Sequence, residues 1–351
     1  MAGYAPKLEG PSSQKVGADG SQWEACHERL AGFSRPRCID AGVCESTCAN
    51  EVSATPEGGI GRSLWFSMPE GVQRKDELEG QPLPELREKP AVVLEDGVVY
   101  TGQWAGPFLH GVGELKRPNG CVFSGQFVRD KPEGKGKFID VQGAVFLGEW
   151  RDGIAHGTGT FIGSDGSKYD GGWENDMKSG TGVEIWKDGS RYEGQYVAGA
   201  KHGNGVFTAV DGSRFEGQFK DDVMAGRGTY LFSDGRHYSG QWADNQMSGQ
   251  GHMRWSDGRT YTGEFVADRK SGRGTFSWLD GRSYTGNWLA GKQHGRGTYV
   301  DAAGKSMEGY WEKGQRLMWL DEAQKAGSMK ETVSNSTTAG SDAAARAKTA
   351  L

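Results

Sequence analysis

Residues 238–251 read Tyr-Ser-Gly-Gln-Trp-Ala-Asp-Asn-Gln-Met-Ser-Gly-Gln-Gly, and much of the chain consists of variants of this stretch. The residue that opens it recurs every 23 residues without an insertion, at Tyr100, Phe123, Phe146, Tyr169, Tyr192, Phe215, Tyr238, Tyr261 and Tyr284, with Met307 in the tenth place. A fixed period of roughly 20–50 residues is the signature of a tandem repeat array. We number these repeats 1 to 10, and count positions within each repeat from 0 at the opening residue.

Glycine and large rings keep fixed positions in the repeats. Position 2 is glycine in all ten repeats, and positions 11 and 13 are glycine in the nine complete ones, as at Gly249 and Gly251. Position 4 is a large ring in all ten repeats, and position 15 is apolar in every complete repeat except at Glu184. The alternation at positions 0, 2 and 4 has the two-residue period of a β-strand. The repeats are therefore predicted to be β-hairpins.

The length of the loop between repeats can be predicted, because residues that pair across it must lie on the same face of the sheet. Asp-Gly near position 20 between two alternating runs is a strong hairpin signal. A three-residue loop that ends in glycine pairs each opening aromatic residue with the apolar position 15 of the preceding repeat. Because paired residues share a face, this register collects the rings on one side of the sheet. We predict a type I turn with a G1 bulge at residues 233–235 and 256–258, with Gly235 and Gly258 at positive φ.

The strand glycines are predicted to make space for rings that lie against the backbone. The opposite face, at positions 1 and 3, is polar. The predicted fold is all-β: a single-layer, elongated, twisted sheet of about ten tandem hairpins that occupies residues 88–316. Residues 1–87 are expected to be a largely disordered arm. Residues 317–351 are expected to form a short capping helix, over Trp319–Ala326, and a disordered tail.

The motifs Tyr-x-Gly-x-Trp, Gly-x-Gly and Asp-Gly at this period resemble the MORN repeat family over about residues 88–316. Residues 192–214 carry the full pattern, whereas Ala303 and Met307 depart from it near the last repeat. The resemblance implies a non-enzymatic module that is elongated and often dimeric. Such modules are found in cytoskeletal scaffolds of protists, in ciliary proteins, in junctional membrane tethers, and in front of plant phosphatidylinositol phosphate kinase domains.

Composition and charge exclude several classes of protein. The net charge of −5 argues against a nucleic-acid partner. The sequence shows neither an apolar run of the ~18–20 residues that span a membrane nor a secretory signal, so a cytoplasmic location is expected. Of the five cysteines, Cys26, Cys38, Cys44 and Cys48 lie in the first arm next to His27. Their spacing favours ordinary reduced thiols, with a zinc site or acylation of Cys44 and Cys48 as alternatives.

Catalytic and metal-binding patterns are not evident in the repeats. His110, His156, His202 and His294 all occupy position 10, but neighbouring members of this set are at least two repeats apart. At about 4.8 Å per strand that separation is roughly 19 Å, too far for one ion. These histidines are interpreted as loop residues. We expect no enzyme activity, cofactor, metal or small-molecule substrate.

Two surfaces are predicted to bind partners. The first is an aromatic groove, because a sheet one layer thick leaves its rings partly bare. Its residues are Tyr100, Trp104, Trp150, Tyr169, Trp173, Tyr192, Tyr196, Tyr238, Trp242, Tyr261 and Trp288. The second is a basic ridge for lipid headgroups at the hairpin tips, made of Lys168, Arg191, Arg214, Arg236, Arg259, Arg282 and Lys305. Aspartates in the same turns cancel much of the field of this ridge.

The favoured function is a structural scaffold, a rod that mediates protein–protein association at the cytoskeleton or at membrane–cytoskeleton junctions. Self-association into a homodimer, through the groove or through the terminal edge strands, belongs to the same hypothesis. The alternative is a peripheral adaptor that binds anionic phospholipid, such as phosphoinositide, or regulates a lipid kinase in trans. Binding to liposomes across a salt series distinguishes the two hypotheses.

Overall fold

The computed structural model describes residues 82–320, and these form one antiparallel sheet of 21 strands. The strands are β1 Leu86–Val93, β2 Val99–Ala105, β3 Phe108–Lys116, β4 Val122–Val128, β5 Lys131–Ile139, β6 Val145–Arg151, β7 Ile154–Ile162, β8 Lys168–Glu174, β9 Met177–Ile185, β10 Arg191–Val197, β11 Ala200–Thr208, β12 Arg214–Lys220, β13 Val223–Leu231, β14 His237–Ala243, β15 Gln246–Arg254, β16 Thr260–Val266, β17 Arg269–Ser277, β18 Ser283–Leu289, β19 Lys292–Val300, β20 Ser306–Glu312 and β21 Gln315–Trp319. Within this range the only helical element is a 3₁₀ turn at Glu95–Gly97.

Each strand pairs with its neighbours in chain order, so no connection crosses the sheet. Every repeat supplies one hairpin of two adjacent strands, and β1 adds a strand in front of the first hairpin. The described residues thus confirm the predicted single sheet of tandem hairpins. At about 4.8 Å between strands, the sheet is roughly 95 Å long.

The predicted register between repeats is confirmed. Between β13 and β14, Tyr238 pairs with Tyr230, and Trp242 pairs with Gly226. The connecting loop also has the predicted geometry: the Phe232 amide donates to the Arg236 carbonyl at 2.9 Å, and the Gly235 amide donates to the Phe232 carbonyl at 3.0 Å. Gly235 and Gly258 have φ of 84° and 86°, as the G1 bulge requires.

The turn inside each repeat was not predicted from the sequence. In repeat 7, Asp244 and Asn245 have φ of 49° and 64°, which defines a tight two-residue turn of type I′ between β14 and β15. The register then shifts at Gly240, because the pairing passes from Gly240–Gly251 to Gln241–Ser248. A bulge therefore sits opposite position 3 in the hairpin.

The side chain at position 3 closes this bulge. Gln241 accepts a hydrogen bond at its Oε1 from the Gln250 amide at 2.7 Å. The same bond joins Gln103 to the Val112 amide at 2.9 Å, and Glu264 to the Arg273 amide at 3.1 Å. Position 3 was expected only to be polar and solvated. In these repeats it satisfies a backbone donor that the bulge leaves out of the ladder.

The array extends past its predicted limits at both ends. β1 begins at Leu86 rather than at residue 88, and β21 continues to Trp319. The helix predicted from Trp319 is thus wrong at its first residue, because Trp319 pairs with Gly309 and its ring packs at 5.8 Å from that of Trp311. Residues 321–326 of that predicted helix, the tail, most of the first arm and its four cysteines lie outside the described residues.

Candidate partner-binding face

The rings at positions 0 and 4 form a continuous row along one face of the sheet, which we call the ring zipper. Each position 0 ring touches the position 4 rings of its own repeat and of the next repeat. Tyr238, for example, lies 5.2 Å from Trp242 and 5.1 Å from Phe265, at interplanar angles of 88° and 83°. Edge-to-face contacts of this kind run from Trp104 to Trp311. Neighbouring hairpins are thereby coupled through their side chains as well as their backbones.

The glycines at positions 2 and 13 make room for these rings, as the sequence predicted. The prediction is wrong for position 11, because Gly249 has a φ of 61° and a Cβ there would meet the Gln241 side chain and not a ring. A Cβ added to Gly251 would lie 2.4–2.6 Å from ring and hydroxyl atoms of Tyr238, and one added to Gly240 would meet the same ring. The Tyr238 hydroxyl donates to the Gln241 carbonyl at 2.9 Å, a carbonyl at the bulge. Burial raises the pKa of the equivalent Tyr100 and Tyr284 to about 12.

The eleven predicted groove residues all lie in the ring zipper, but none of them is partly bare. Their exposed fractions range from 0% to 7%. Each ring packs against its zipper neighbours. Across the hairpin a position 0 ring faces position 15 and a position 4 ring faces position 9, as Tyr238 faces Met253 and Trp242 faces Met247. The zipper is a core. A partner that binds this face meets its rims, and the half-buried rings at position 17, namely Trp186, Phe232, Trp255 and Trp278, form one of them.

The indole nitrogens of four position 4 tryptophans join successive repeats. The Nε1 atoms of Trp173 and Trp288 donate to the carbonyls of Gly159 and Gly274, each at 3.0 Å. Trp104 has no preceding repeat to supply that carbonyl, and its Nε1 has no acceptor within residues 82–320. The Lys89 ammonium instead lies 4.1 Å from the Trp104 ring centroid.

A polar trio interrupts the apolar face at repeats 4 and 5. The Lys178 ammonium is hydrogen-bonded to Glu184, and the Tyr196 hydroxyl donates to Glu184 at 2.9 Å. The side chains of Lys178 and Glu184 are only 12% and 14% exposed. Burial and the Glu184 charge raise the pKa of Tyr196. One signal of this trio is visible in the sequence, since Glu184 is the exception at position 15, but the pattern does not show that Lys178 lies beside it.

A second inter-repeat clamp comes from Asp or Asn at position 7. The Asp176 Oδ1 accepts from the Ala155 amide in the preceding repeat at 2.7 Å, and Asn245 does the same for the Met224 amide at 2.7 Å. Asp130, Asp222 and Asp268 repeat the contact. These residues occupy the second place of the type I′ turn, where Asp and Asn tolerate positive φ.

Burial raises the pKa of Asp176 above its usual value, against the opposing hydrogen bond from Ala155. A raised pKa in the folded state favours folding below the ordinary pKa, and this contribution is lost as pH rises through the raised value. Asp176→Asn keeps the acceptor, as Asn245 shows, and removes the charge. We expect this variant to have a higher free energy of unfolding than the wild type at pH 7, with the difference shrinking toward pH 3, in urea titrations.

The control is Asp176→Gly, because glycine fills position 7 at Gly153 and Gly199 without a side-chain acceptor. It is expected to lose about 1 kcal/mol at neutral pH, the contribution of one hydrogen bond. If the stability of Asp176→Asn relative to the wild type does not change with pH, the carboxyl is not the titrating group.

The basic ridge predicted at the hairpin tips is divided between the two faces. Lys168, Arg191 and Arg214 precede position 0 by one residue, point to the polar face and pair with Asp170, Glu193 and Glu216. Arg236, Arg259 and Arg282 precede it by two residues and lie on the aromatic face. They pair with Asp234, Asp257 and Asp280, and they lie over Phe232, Trp255 and Trp278. Lys305 occupies the corresponding place in the last loop.

Residues 82–320 show no sign of a metal centre. No three His, Cys, Asp or Glu side chains in this range are grouped so that they could hold a metal ion. Of the position 10 histidines, His110 accepts at its Nδ1 from the Arg129 amide at 3.4 Å, and His202 lies 3.5 Å from Asp221. This part of the chain also contains no helix with the length and apolarity of a membrane span.

The fold and this face define a tandem-hairpin repeat protein whose core is a row of rings on one side of an open sheet. The family model of the MORN repeat matches residues 100–122, 123–145, 146–168, 169–191, 192–214, 215–235, 238–258, 261–281 and 284–306. These nine matches cover more than half of the chain, which therefore belongs to the MORN repeat family. No curated protein matches the chain.

Solved structures show weaker likenesses. The TCP10 domain of Danio rerio CPAP in complex with a STIL peptide is 11% identical with a TM-score of 0.37, and the match covers 68% of this chain and 99% of that chain. The SAS-4 TCP domain of Drosophila melanogaster with a proline-rich motif of Ana2 is 11% identical, with a TM-score of 0.26 and coverages of 59% and 99%. At such TM-scores neither likeness supports a conclusion about this chain.

Proposed function

We propose that this protein is a non-enzymatic scaffold that binds partner proteins along the aromatic face of its repeat array. The observation that carries the proposal is the set of half-buried rings at position 17, which lie beside the buried ring zipper in repeats 4, 6, 7 and 8. A binding surface needs apolar rings that a partner can still cover, and partly covered aromatic side chains dominate many protein interfaces. Cytoskeletal structures and membrane junctions are the proposed locations of the partners.

Proximity labelling with the full-length chain in its source cell tests this proposal. A rim variant, Trp255→Ala with Trp278→Ala, is compared with Val266→Ala, which trims an aliphatic side chain that is 60% exposed. We expect a defined set of labelled proteins that the rim variant loses and Val266→Ala retains. The same labelled set from all three chains would contradict binding at this rim.

The lipid hypothesis is tested separately, by flotation with phosphoinositide liposomes across a salt series. Six of the seven ridge residues already pair with a carboxylate, so little net positive charge remains at the hairpin tips. We expect little flotation even at low salt. Strong flotation that salt abolishes would favour the adaptor instead. Light scattering of the full-length chain tests whether it forms a homodimer.

A further inference from the structure

Three lysines occupy position 9 on the aromatic face, and two of them have a carboxylate from within the array. Lys178 pairs with Glu184, at position 15 of its own repeat. Lys201 pairs with Asp222, at position 7 of the next repeat, at 3.2 Å. Both ammonium groups also lie over rings of the zipper. A buried cation on this face is thus compensated in one of two ways, by an acid at position 15 or by one at position 7.

Lys270 has the same place in repeat 8 but neither of these partners. Its own repeat carries Phe276 at position 15, and the next repeat carries Gly291 at position 7. Its ammonium lies 4.3 Å from the Trp288 ring centroid and 4.7 Å from that of Phe276, with Trp255 and Tyr261 at 5.6 and 5.7 Å. Within residues 82–320 no carboxylate lies within ion-pair distance of it.

The charged group that acts electrostatically on Lys270 is also a cation, Arg259. Arg259 lies over the Trp255 ring at 5.9 Å, so Arg259 and Lys270 share one indole. Burial first, and the Arg259 charge second, lower the pKa of Lys270 to about 8. Arg259 is paired with Asp257 at 2.6 Å in a turn where both side chains are more than one third exposed. The rim at repeats 7 and 8 therefore presents two cations and one carboxylate, and that carboxylate pairs with Arg259.

We propose that Lys270 and Arg259 bind a carboxylate side chain of an acidic peptide segment in a partner protein, with its aliphatic stem against Trp255. The incoming Asp or Glu takes the role that Asp222 has for Lys201. Trp255 is one of the half-buried rings at position 17. This site therefore rests on the proposed scaffold function, and it specifies the chemistry of the partner. Charge complementarity decides the occupant, since an ammonium among rings gains most from an anion.

The chain itself supplies matched variants for the test. Lys270→Met copies Met247, the position 9 residue of repeat 7, and removes the cation. Gly291→Asp supplies an internal carboxylate in the position of Asp222. The φ of Gly291 is 84° and a Cβ added there would meet no atom within 4 Å, so an Asp side chain has room. Gly291→Asn copies Asn245 and adds the same hydrogen bond to the backbone without the charge.

The probe is a fluorescein-labelled hexaglutamate peptide, with hexaglutamine as its neutral counterpart, and the readout is anisotropy with the full-length chain at about 0.1 M salt. We expect the wild type and Gly291→Asn to bind hexaglutamate equally, and Lys270→Met and Gly291→Asp to bind it on the order of tenfold more weakly. Hexaglutamine is expected to bind none of them.

Absence of hexaglutamate binding to the wild type, or equal binding to Lys270→Met, would overturn the proposal. An equal loss in Gly291→Asn and Gly291→Asp would show that the turn, not the charge, matters. Binding to phosphoinositide vesicles that depends on Lys270 would assign the site to a membrane instead. If proximity labelling depends on Trp255 and Trp278 but not on Lys270, the scaffold function is supported and the proposed site for an acidic peptide is rejected.

Discussion

Glu184→Met is expected to destabilise the array by about 3–5 kcal/mol, the usual cost of removing one partner from a buried ion pair. Lys178 would then be left among the rings of Tyr169 and Tyr196, at 5.1 and 5.7 Å, without a carboxylate. The Tyr196 hydroxyl would lose its acceptor in the same substitution. Urea denaturation followed by tryptophan fluorescence measures the loss.

The control for this variant lies three repeats further along the chain. Met247, Met253 and Phe265 occupy the positions of Lys178, Glu184 and Tyr196, and they form an entirely apolar contact. The triple variant Lys178→Met, Glu184→Met, Tyr196→Phe copies that repeat, and its stability is expected to equal or exceed that of the wild type. A loss below about 1 kcal/mol for Glu184→Met alone, as at a surface ion pair, would contradict a buried pair.

Trp242→Ala is expected to cost about 3–5 kcal/mol, because it opens a cavity in the middle of the ring zipper. The indole is 6% exposed and contacts the rings of Phe215 and Tyr238 at 5.3 and 5.2 Å. Its Nε1 also donates to the Gly228 carbonyl of the preceding repeat at 3.2 Å. The substitution therefore removes both the ring contact and the indole hydrogen bond that Trp242 makes with repeat 6.

The comparison for this variant is Thr262→Ala on the exposed polar face, measured in the same urea titration. Hydrogen exchange should show the amides of β13 and β14 losing more protection than those of distant repeats, since stability in an array is held by nearest neighbours. If Trp242→Ala shifts the midpoint no more than Thr262→Ala does, the ring zipper is not the core of the sheet.

The register between repeats could be predicted because glycine and ring positions leave one alignment that puts every ring on one face. Gly240 opposite Gly228 and Tyr238 opposite Tyr230 follow from that condition alone. The turn at Ser233-Asp234-Gly235 followed from the same alignment together with the preference of glycine for positive φ. The 23-residue period has no insertion over ten repeats. A register shifted by one residue would therefore have put the rings on the wrong face in every repeat, and this made the register well determined.

The turn within the repeat has a weaker signal in the sequence. Asp244-Asn245 is a sequence that suits a type I′ turn, but the equivalent places elsewhere hold Ala198, Ala267 and Lys313, which have no preference for positive φ. Their conformation is imposed by the strands on either side. The hydrogen bonds of Asp176 and Gln241 depend on that turn and its bulge, so the sequence could not show them.

The exposure of the side chains was the other property that the sequence did not predict correctly. The rings were expected to be partly bare because the sheet has one layer, yet edge-to-face packing along the sheet buries them without a second layer. The basic residues near the hairpin tips were expected to form one ridge. Arg214 and Arg236 stand one and two residues before position 0, and this difference of one residue puts them on opposite faces.

A double-mutant cycle between Gly251→Ala and Tyr238→Ala, measured by urea denaturation, tests most directly why glycine recurs at position 13 of every complete repeat. A methyl group at position 251 would meet the Tyr238 ring within 2.6 Å, so Gly251→Ala should cost about 1–3 kcal/mol in the wild type. In the Tyr238→Ala background the ring is gone, and the same substitution should cost less than about 0.5 kcal/mol. An equal cost in both backgrounds would contradict the account, because glycine would then be required by the backbone conformation and not by the Tyr238 ring.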